Sequence, residues 1–292
     1  MDRQPLERIL VPLDHSPVSE KLVEFAGELA SHYGSEIVLF TAIDSSILEH
    51  AAAGFDPNTI IRELEDKYRE ILSKYAEKLK SKSVRVVVHD EIPVTEPCSG
   101  IIAAARKEGV SEILIATKGW GWRRLIPIGG TARTVIKLSP VPVIALRAIK
   151  EEDRVKLLGD PKFARRLVVG IDENVTTDMI RYVSDLARRA GTETIYLVHV
   201  AEKLSDKEAA SLLEKVADKL GDVGAEIMKV VLAGKPARVL SGFATPPTAT
   251  GLIVGRSVKK FFSEIILGST VDRVLQEAMV PIVVYPVSKE EY

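Results

Sequence analysis

A single cysteine, Cys98, stands in the whole chain, so no intrachain disulfide and no all-cysteine metal site can form. The five histidines show no ligand spacing such as H-x3-H, so no protein-ligated metal is expected. No basic excess is present either. Forty Lys and Arg face 41 Asp and Glu, a net charge of -1, which argues against a nucleic-acid partner. Long apolar runs are lacking. Nothing approaches the ~18 apolar residues of a membrane span, and the charged start MDRQPLERILVPLD has no apolar signal-peptide core. These absences together predict a soluble, cytoplasmic chain with neither membrane nor nucleic-acid business. What remains is ordinary globular composition, 46% hydrophobic and 28% charged, at the length of about two domains.

What the sequence does contain is a repeat. Arg8-Ile9-Leu10-Val11-Pro12-Leu13-Asp14 recurs as Arg166-Leu167-Val168-Val169-Gly170-Ile171-Asp172. Glu28-Leu29-Ala30 with Gly34 recurs as Asp185-Leu186-Ala187 with Gly191, and Val141-Pro142-Val143-Ile144 as Val280-Pro281-Ile282-Val283. The second copy is shorter, mostly because the first holds an extra stretch around 45–62. The landmarks keep their order, so the chain divides into a domain at 1–149, a charge-rich linker at 150–163 and a second domain at 164–292.

Within the first copy, short β-branched runs at 8–13, 36–41, 84–89, 112–117 and 141–146 read as fully buried strands. Leu22, Val23, Ala26, Leu29 and Ala30 keep helical spacing between the first two, echoed by Met179, Ile180, Val183, Leu186 and Ala187. Ser16-Pro17 marks a helix start with Ser as cap, and Ser205 with Glu208 makes a capping box. Strands alternating with helices predict parallel sheets with right-handed crossovers and helices on both faces, an α/β class.

In an open parallel sheet, ligands bind at the carboxyl ends of strands where the strand order reverses. Each copy puts an aspartate, Asp14 or Asp172, at the end of its first strand. Each also puts a glycine-bearing loop after its fourth strand, 116–131 or 255–270. Glycines admit close approach of backbone N–H groups to phosphate oxygens, and the following helix offers its positive end. Lys118, Arg123, Arg124, Arg133, Arg256, Lys259 and Lys260 could neutralise phosphates. The competing readings are structural: helix capping for the aspartates, tight turns for the glycines, and surface solvation for most of those cations. His199 is best read as a packed structural histidine. His15 lies next to Asp14, but no serine or cysteine partner is evident, so a hydrolytic triad is not expected. Cys98, near a helix start, is a site where a thiol pKa could fall. Trp120 and Trp122 suit either a cover over a ligand or a partner contact.

An aspartate closing a V-P-[LV]-D strand, with G-x-x-G-x9-G-[ST] before a helix that leads into a P-V-P-V strand, resembles the universal stress protein family. The resemblance covers both halves. It implies a Rossmann-like, adenine nucleotide alpha hydrolase-like fold with two tandem open five-stranded sheets of order 3-2-1-4-5. It also implies ATP or AMP as bound ligand in one branch of the family and no nucleotide in another. Any Mg²⁺ would arrive with the phosphates. By position, the implied ligand-binding residues are Asp14, Ala42, Ala116, Gly119, Gly129, Gly130 and Thr131 in the first copy. In the second they are Asp172, Val200, Gly255, Gly268, Ser269 and Thr270. Ala116 replaces one motif glycine, and Gly130 stands where Ser or Thr is usual. Val258 replaces the second glycine of copy two, where a β-branched residue resists positive φ and should keep the loop from closing as usual. The first copy therefore stands nearer the pattern. The resemblance further implies pairing through the fifth strands, here an internal pseudo-dimer, with homodimers of the chain also open.

Two functions follow: a nucleotide-binding stress-response or regulatory protein, or an interaction scaffold with degenerate sites. No general base is identifiable, so any ATP hydrolysis should be slow. An adenylating ATP pyrophosphatase is disfavoured, because Pro17-Val18-Ser19 and Val175-Thr176-Thr177 stand where a Ser-Gly-Gly loop is needed.

Overall fold

A computed structural model describes residues 3–49, 56–117, 129–151, 154–201, 205–261 and 264–287. The first half runs β1 (Arg8–Pro12), α1 (Pro17–Tyr33), β2 (Glu36–Phe40), β3 (Ile43–Asp44), α2 (Ser46–Glu49), α3 (Pro57–Lys80), β4 (Arg85–Val88), β5 (Val94–Thr95), α4 (Pro97–Lys107), β6 (Glu112–Ala116), α5 (Gly130–Leu138) and β7 (Val143–Leu146). A hairpin of β8 (Ala148–Glu151) and β9 (Arg154–Leu157) follows. The second half runs β10 (Arg166–Gly170), α6 (Thr177–Ala190), β11 (Thr194–Ala201), α7 (Asp206–Leu220), β12 (Glu226–Ala233), α8 (Pro236–Phe243), β13 (Gly251–Phe261), β14 (Glu264–Leu267), α9 (Ser269–Glu277) and β15 (Ile282–Val287).

Each half orders its five principal strands 3-2-1-4-5, as β4-β2-β1-β6-β7 and β12-β11-β10-β13-β15, all parallel. The fifth strands then join antiparallel, Val143 opposite Val284, Ile144 opposite Val283 and Ala145 opposite Ile282. Ile144 and Val283 are equivalent positions of the repeat, so a local two-fold axis passes between them. The two sheets thereby become one continuous sheet, and neither fifth strand is left as an open edge.

Alternation along the strands feeds two core layers, one on each face of this sheet. Ile9, Val11, Leu167, Val169, Ile144 and Val283 enter one layer. Leu10, Val168, Val143, Ala145, Ile282 and Val284 enter the other. The cross-strand partners of β7 and β15 thus share a face, which a one-residue register slip would destroy. Helices cover both faces, which is why the strands read as unbroken apolar runs rather than alternating ones.

Local signals mostly landed where the residues placed them. α1 ends at Gly34 and α6 at Gly191, both left-handed at φ 68° and 62°. The Ser205–Glu208 capping box is made on both sides. Ser16 is indeed the N-cap of α1, but its hydroxyl makes no cap bond. Asp14 takes that part instead, its Oδ1 accepting from the Ser16 N–H at 3.1 Å and the Ser19 hydroxyl at 2.7 Å. The stretch expected as a linker is built structure. The β8–β9 hairpin occupies part of it, Leu158 and Phe163 are buried, and Gly159 (φ 113°) runs so close to Pro281 that a Cβ would lie 2.2 Å from its Cδ.

The halves are also locked by polar contacts. Arg256 of β13 is 7% exposed and reaches across to the end of α5, donating to the Ile136 carbonyl at 2.5 Å and the Ser139 carbonyl at 3.1 Å. These are orphan carbonyls of a helix C-terminus, where a cation is favoured. Burial lowers the guanidinium pKa to about 10, still far above neutrality. On the other side of the sheet, Glu112 is fully buried. Its carboxyl accepts from the Leu6 N–H at 3.1 and 3.0 Å and from the hydroxyl of Tyr182 of the second half at 3.1 Å. Burial raises its pKa from 4.5 to about 7, against the opposing pull of Ser111, Leu6, Tyr182 and Arg189.

Two outcomes are expected. Arg256→Ala should cost about 2 kcal/mol in urea unfolding, because two buried carbonyls lose a charged donor. Glu112 binds protons more tightly folded than unfolded. Its contribution is therefore full below pH 4.5 and lost as pH rises through about 7. Glu112→Gln should flatten that loss when unfolding is measured at pH 4.5 to 8; an unchanged slope would contradict the assignment.

Candidate functional site

Strands β1 and β6 part company at the reversal point of the first sheet, and β10 and β13 at that of the second. At each carboxyl-end crevice lies a cavity. The first-half cavity is about 350 Å³ and the second about 740 Å³. In the first, the structure brings together Asp14, Ala42, Ala116, Gly129, Gly130 and Thr131. In the second it brings together Asp172, Val200, Gly255, Gly268, Ser269 and Thr270. Gly119 lies outside the described residues, as do Lys118, Trp120, Trp122, Arg123 and Arg124.

The two crevices share a plan. The aspartate ends strand one, the residue ending strand two lines the wall, and the helix after strand four points its N-terminus inward. α5 starts after Gly129 and α9 after Gly268, and neither helix has a side-chain cap bond. Their first N–H groups therefore lack the side-chain acceptors that usually satisfy them. The glycines are not there for backbone shape. Gly129 and Gly268 sit at φ -54° and -58°, ordinary values for any residue. A Cβ at Gly129 or Gly130 would meet no atom within 4 Å. Gly255 differs: a Cβ there would press on Val287 at 3.1 Å and Met179 at 3.3 Å. Packing alone accounts for Gly255, whereas neither packing nor strain asks for glycine at 129 and 130.

The crevices differ in what fills them. In the first, His15 adopts φ 59°, stacks on Tyr68 at 4.0 Å between ring centroids, and bonds Thr41 Oγ1 through Nε2 at 2.9 Å. Burial lowers its pKa, with Asp14 pulling the other way and Lys67 adding to the fall. Asp14 is bonded to the start of its own helix, so the capping role is real there. In the second, Asp172 Oδ1 accepts from the Asn174 N–H at 2.9 Å. α6 is capped by Thr176 instead, through the Met179 N–H at 3.2 Å. Asp172 is thereby relieved of the capping work that occupies Asp14.

Several sequence readings are corrected or refined. Val258 keeps the loop from closing as usual, as expected: β13 continues through it, extended, and pairs antiparallel with β14, Val258 opposite Leu267. The second copy replaces the loop by a hairpin, which suits a β-branched residue. Arg256 is not a solvated loop cation but a buried helix clamp. Cys98 is buried, and burial together with Glu96 pushes its thiol up to about 11, opposite to the fall that a helix start suggested. His199 is structural as read: it is 6% exposed and its Nδ1 lies 2.8 Å from the Ile171 carbonyl oxygen. Tyr68 and Asn174 line the cavities without having been picked out. Tyr68 sits on α3, whose counterpart α7 in the second copy is shorter, and no motif flags it.

The sequence profile of the universal stress protein family matches residues 5–147 and 164–286. A universal stress protein of Methanocaldococcus jannaschii is 25% identical over 146 residues, 50% of this chain and 85% of that protein. One from Bacillus subtilis is 26% identical over 145 residues, 48% of this chain and 98% of its own. A crystal structure of a universal stress protein from Archaeoglobus fulgidus shares the fold along the full length, with TM-score 0.75, 22% identity, and coverage of 96% of this chain and 98% of that one. Among the described residues, no helix is long and apolar enough to cross a membrane. The chain belongs to the universal stress protein family, twice over, with one family domain in each half.

Proposed function

We propose that this protein binds an adenine nucleotide, ATP or AMP, and acts as a cytoplasmic regulatory protein whose switch is the binding itself. The observation that carries this reading is convergence. Twelve residues chosen from the sequence line two equivalent crevices, each closed by a helix tip without a side-chain cap. In that reading Asp172 holds the ribose, Val200 flanks the base, and the N–H groups at Ser269 and Thr270 receive phosphate oxygens. Asp14, Ala42, Ala116, Gly129, Gly130 and Thr131 do the same in the first half. Small residues at the helix tip suit a ligand that approaches the backbone closely, and any Mg²⁺ comes in with the phosphates.

The second crevice is the principal site in this proposal, although the first stands nearer the family pattern. Its cavity is the larger, about 740 Å³ against 350 Å³, and falls within the range of small-molecule sites. One observation favours the scaffold reading for the first half alone: the His15–Tyr68 stack stands in the crevice where a ligand would lie. No general base is placed by this reading, so turnover is slow or absent.

Equilibrium titration of the full chain with ATP, AMP and adenosine, followed by calorimetry, tests the proposal. Micromolar to sub-millimolar ATP binding is expected, with Asp172→Ala weakening it at least tenfold, the loss that goes with one charged hydrogen bond. No heat of binding at millimolar nucleotide would overturn the reading in favour of an empty scaffold.

A further inference from the structure

The wall of the second cavity is not made by the second half alone. Arg133, on α5 of the first half, lines it, while every described residue around the first cavity comes from the first half. Arg133 Nη2 lies 2.9 Å from Asp272 Oδ1, with the arginine side chain 48% exposed and the aspartate 22%. The alignment that matches Ile144 with Val283 also matches Arg133 with Asp272. The same position of the duplicated helix therefore carries opposite charges in the two copies, and the two meet across the local two-fold axis.

The charge balance of the cavity makes this pair consequential. Its described lining holds three carboxylates, Asp172, Glu173 and Asp272, against the single arginine Arg133. An anionic ligand entering there meets net negative charge unless Arg133 offsets it. Arg133 is also firmly carried. Its helix is gripped at the far end by buried Arg256, the neighbour in sequence of Gly255 on the cavity wall.

Resting on the nucleotide reading above, we propose that the second site is composite. Arg133 of the first half is its phosphate-contacting, specificity-determining residue, taking the ligand's phosphate chain in exchange for, or together with, Asp272. The site then tells nucleotide from nucleoside by a residue that is in place only when the halves are paired. Occupancy and inter-half pairing are linked, each favouring the other by the same factor.

Calorimetric titrations of the full chain with ATP and with adenosine, on wild type, Arg133→Gln, Asp272→Asn and Asp172→Ala, test this. Arg133→Gln should weaken ATP at least tenfold and leave adenosine within twofold. Asp272→Asn should tighten ATP, since it removes both a repelling carboxylate and the arginine's competitor; a variant that merely misfolds cannot do that. Asp172→Ala should weaken both ligands, which identifies the second cavity as the one being read. Wild-type ATP binding that Arg133→Gln leaves unchanged overturns the composite site and spares the nucleotide reading. A wild-type chain that takes up neither ATP nor adenosine removes both.

Discussion

The antiparallel ladder between Val143–Leu146 and Ile282–Val287 is the constraint from which the rest of the molecule is arranged. A parallel sheet of five strands leaves its fifth strand with an unpaired row of N–H and C=O groups, and an apolar fifth strand cannot stay so in water. Here each copy satisfies the other. Because the paired positions are equivalent in the repeat, the ladder imposes a local two-fold axis. The two helices that follow strand four, α5 and α9, then come within side-chain reach of each other beside it. Arg256 reaching the end of α5 and Arg133 reaching Asp272 are both consequences of that placement. Away from the axis, Tyr182 meets buried Glu112, so the halves are tied near the opposite ends of their strands as well.

A duplicated chain is free to let equivalent positions diverge, and the two crevices show how far this has gone. An aspartate closes the first strand in both, yet one caps its own helix while the other leaves that work to Thr176. The first crevice gained a stacked His15–Tyr68 pair, the tyrosine coming from a helix that the second copy has in shorter form. The second exchanged its glycine loop for a β-hairpin and kept a larger cavity. A homodimer of identical domains would place like charges at position 133 or 272 against each other. Opposite charges there suit two different halves in one chain.

Much of this was legible in the residues alone. The repeat, the strand–helix alternation and the Ser205–Glu208 capping box rest on period, composition and punctuation, which are local properties. The third strand β4, read like the others as a buried run, is instead a half-exposed edge, as is its counterpart β12. The candidate site residues came from the family pattern, and those that fall among the described residues line the two cavities. What could not be read is whatever depends on one half meeting the other. Arg256 and Arg133 looked like loop and helix cations, because nothing in their neighbourhoods announces a partner more than 100 residues away. The charge-rich 150–163 stretch was read as a linker, and its charge gave no sign of the β8–β9 pairing it carries. Val258 was expected to keep the glycine loop from closing as usual, and β13 indeed runs extended through it to pair with β14; the strand pairing that takes the loop's place was not foreseen.

The central claim is that the crevice at the end of β10 and β13 receives a nucleotide with its phosphates at the tip of α9. A crystal structure of the full chain grown with ATP tests it most directly. The account predicts density for the ribose beside Asp172 and for phosphate oxygens within hydrogen-bond distance of the Ser269 and Thr270 amides. A well-ordered structure at saturating ATP in which that crevice holds only solvent would contradict it.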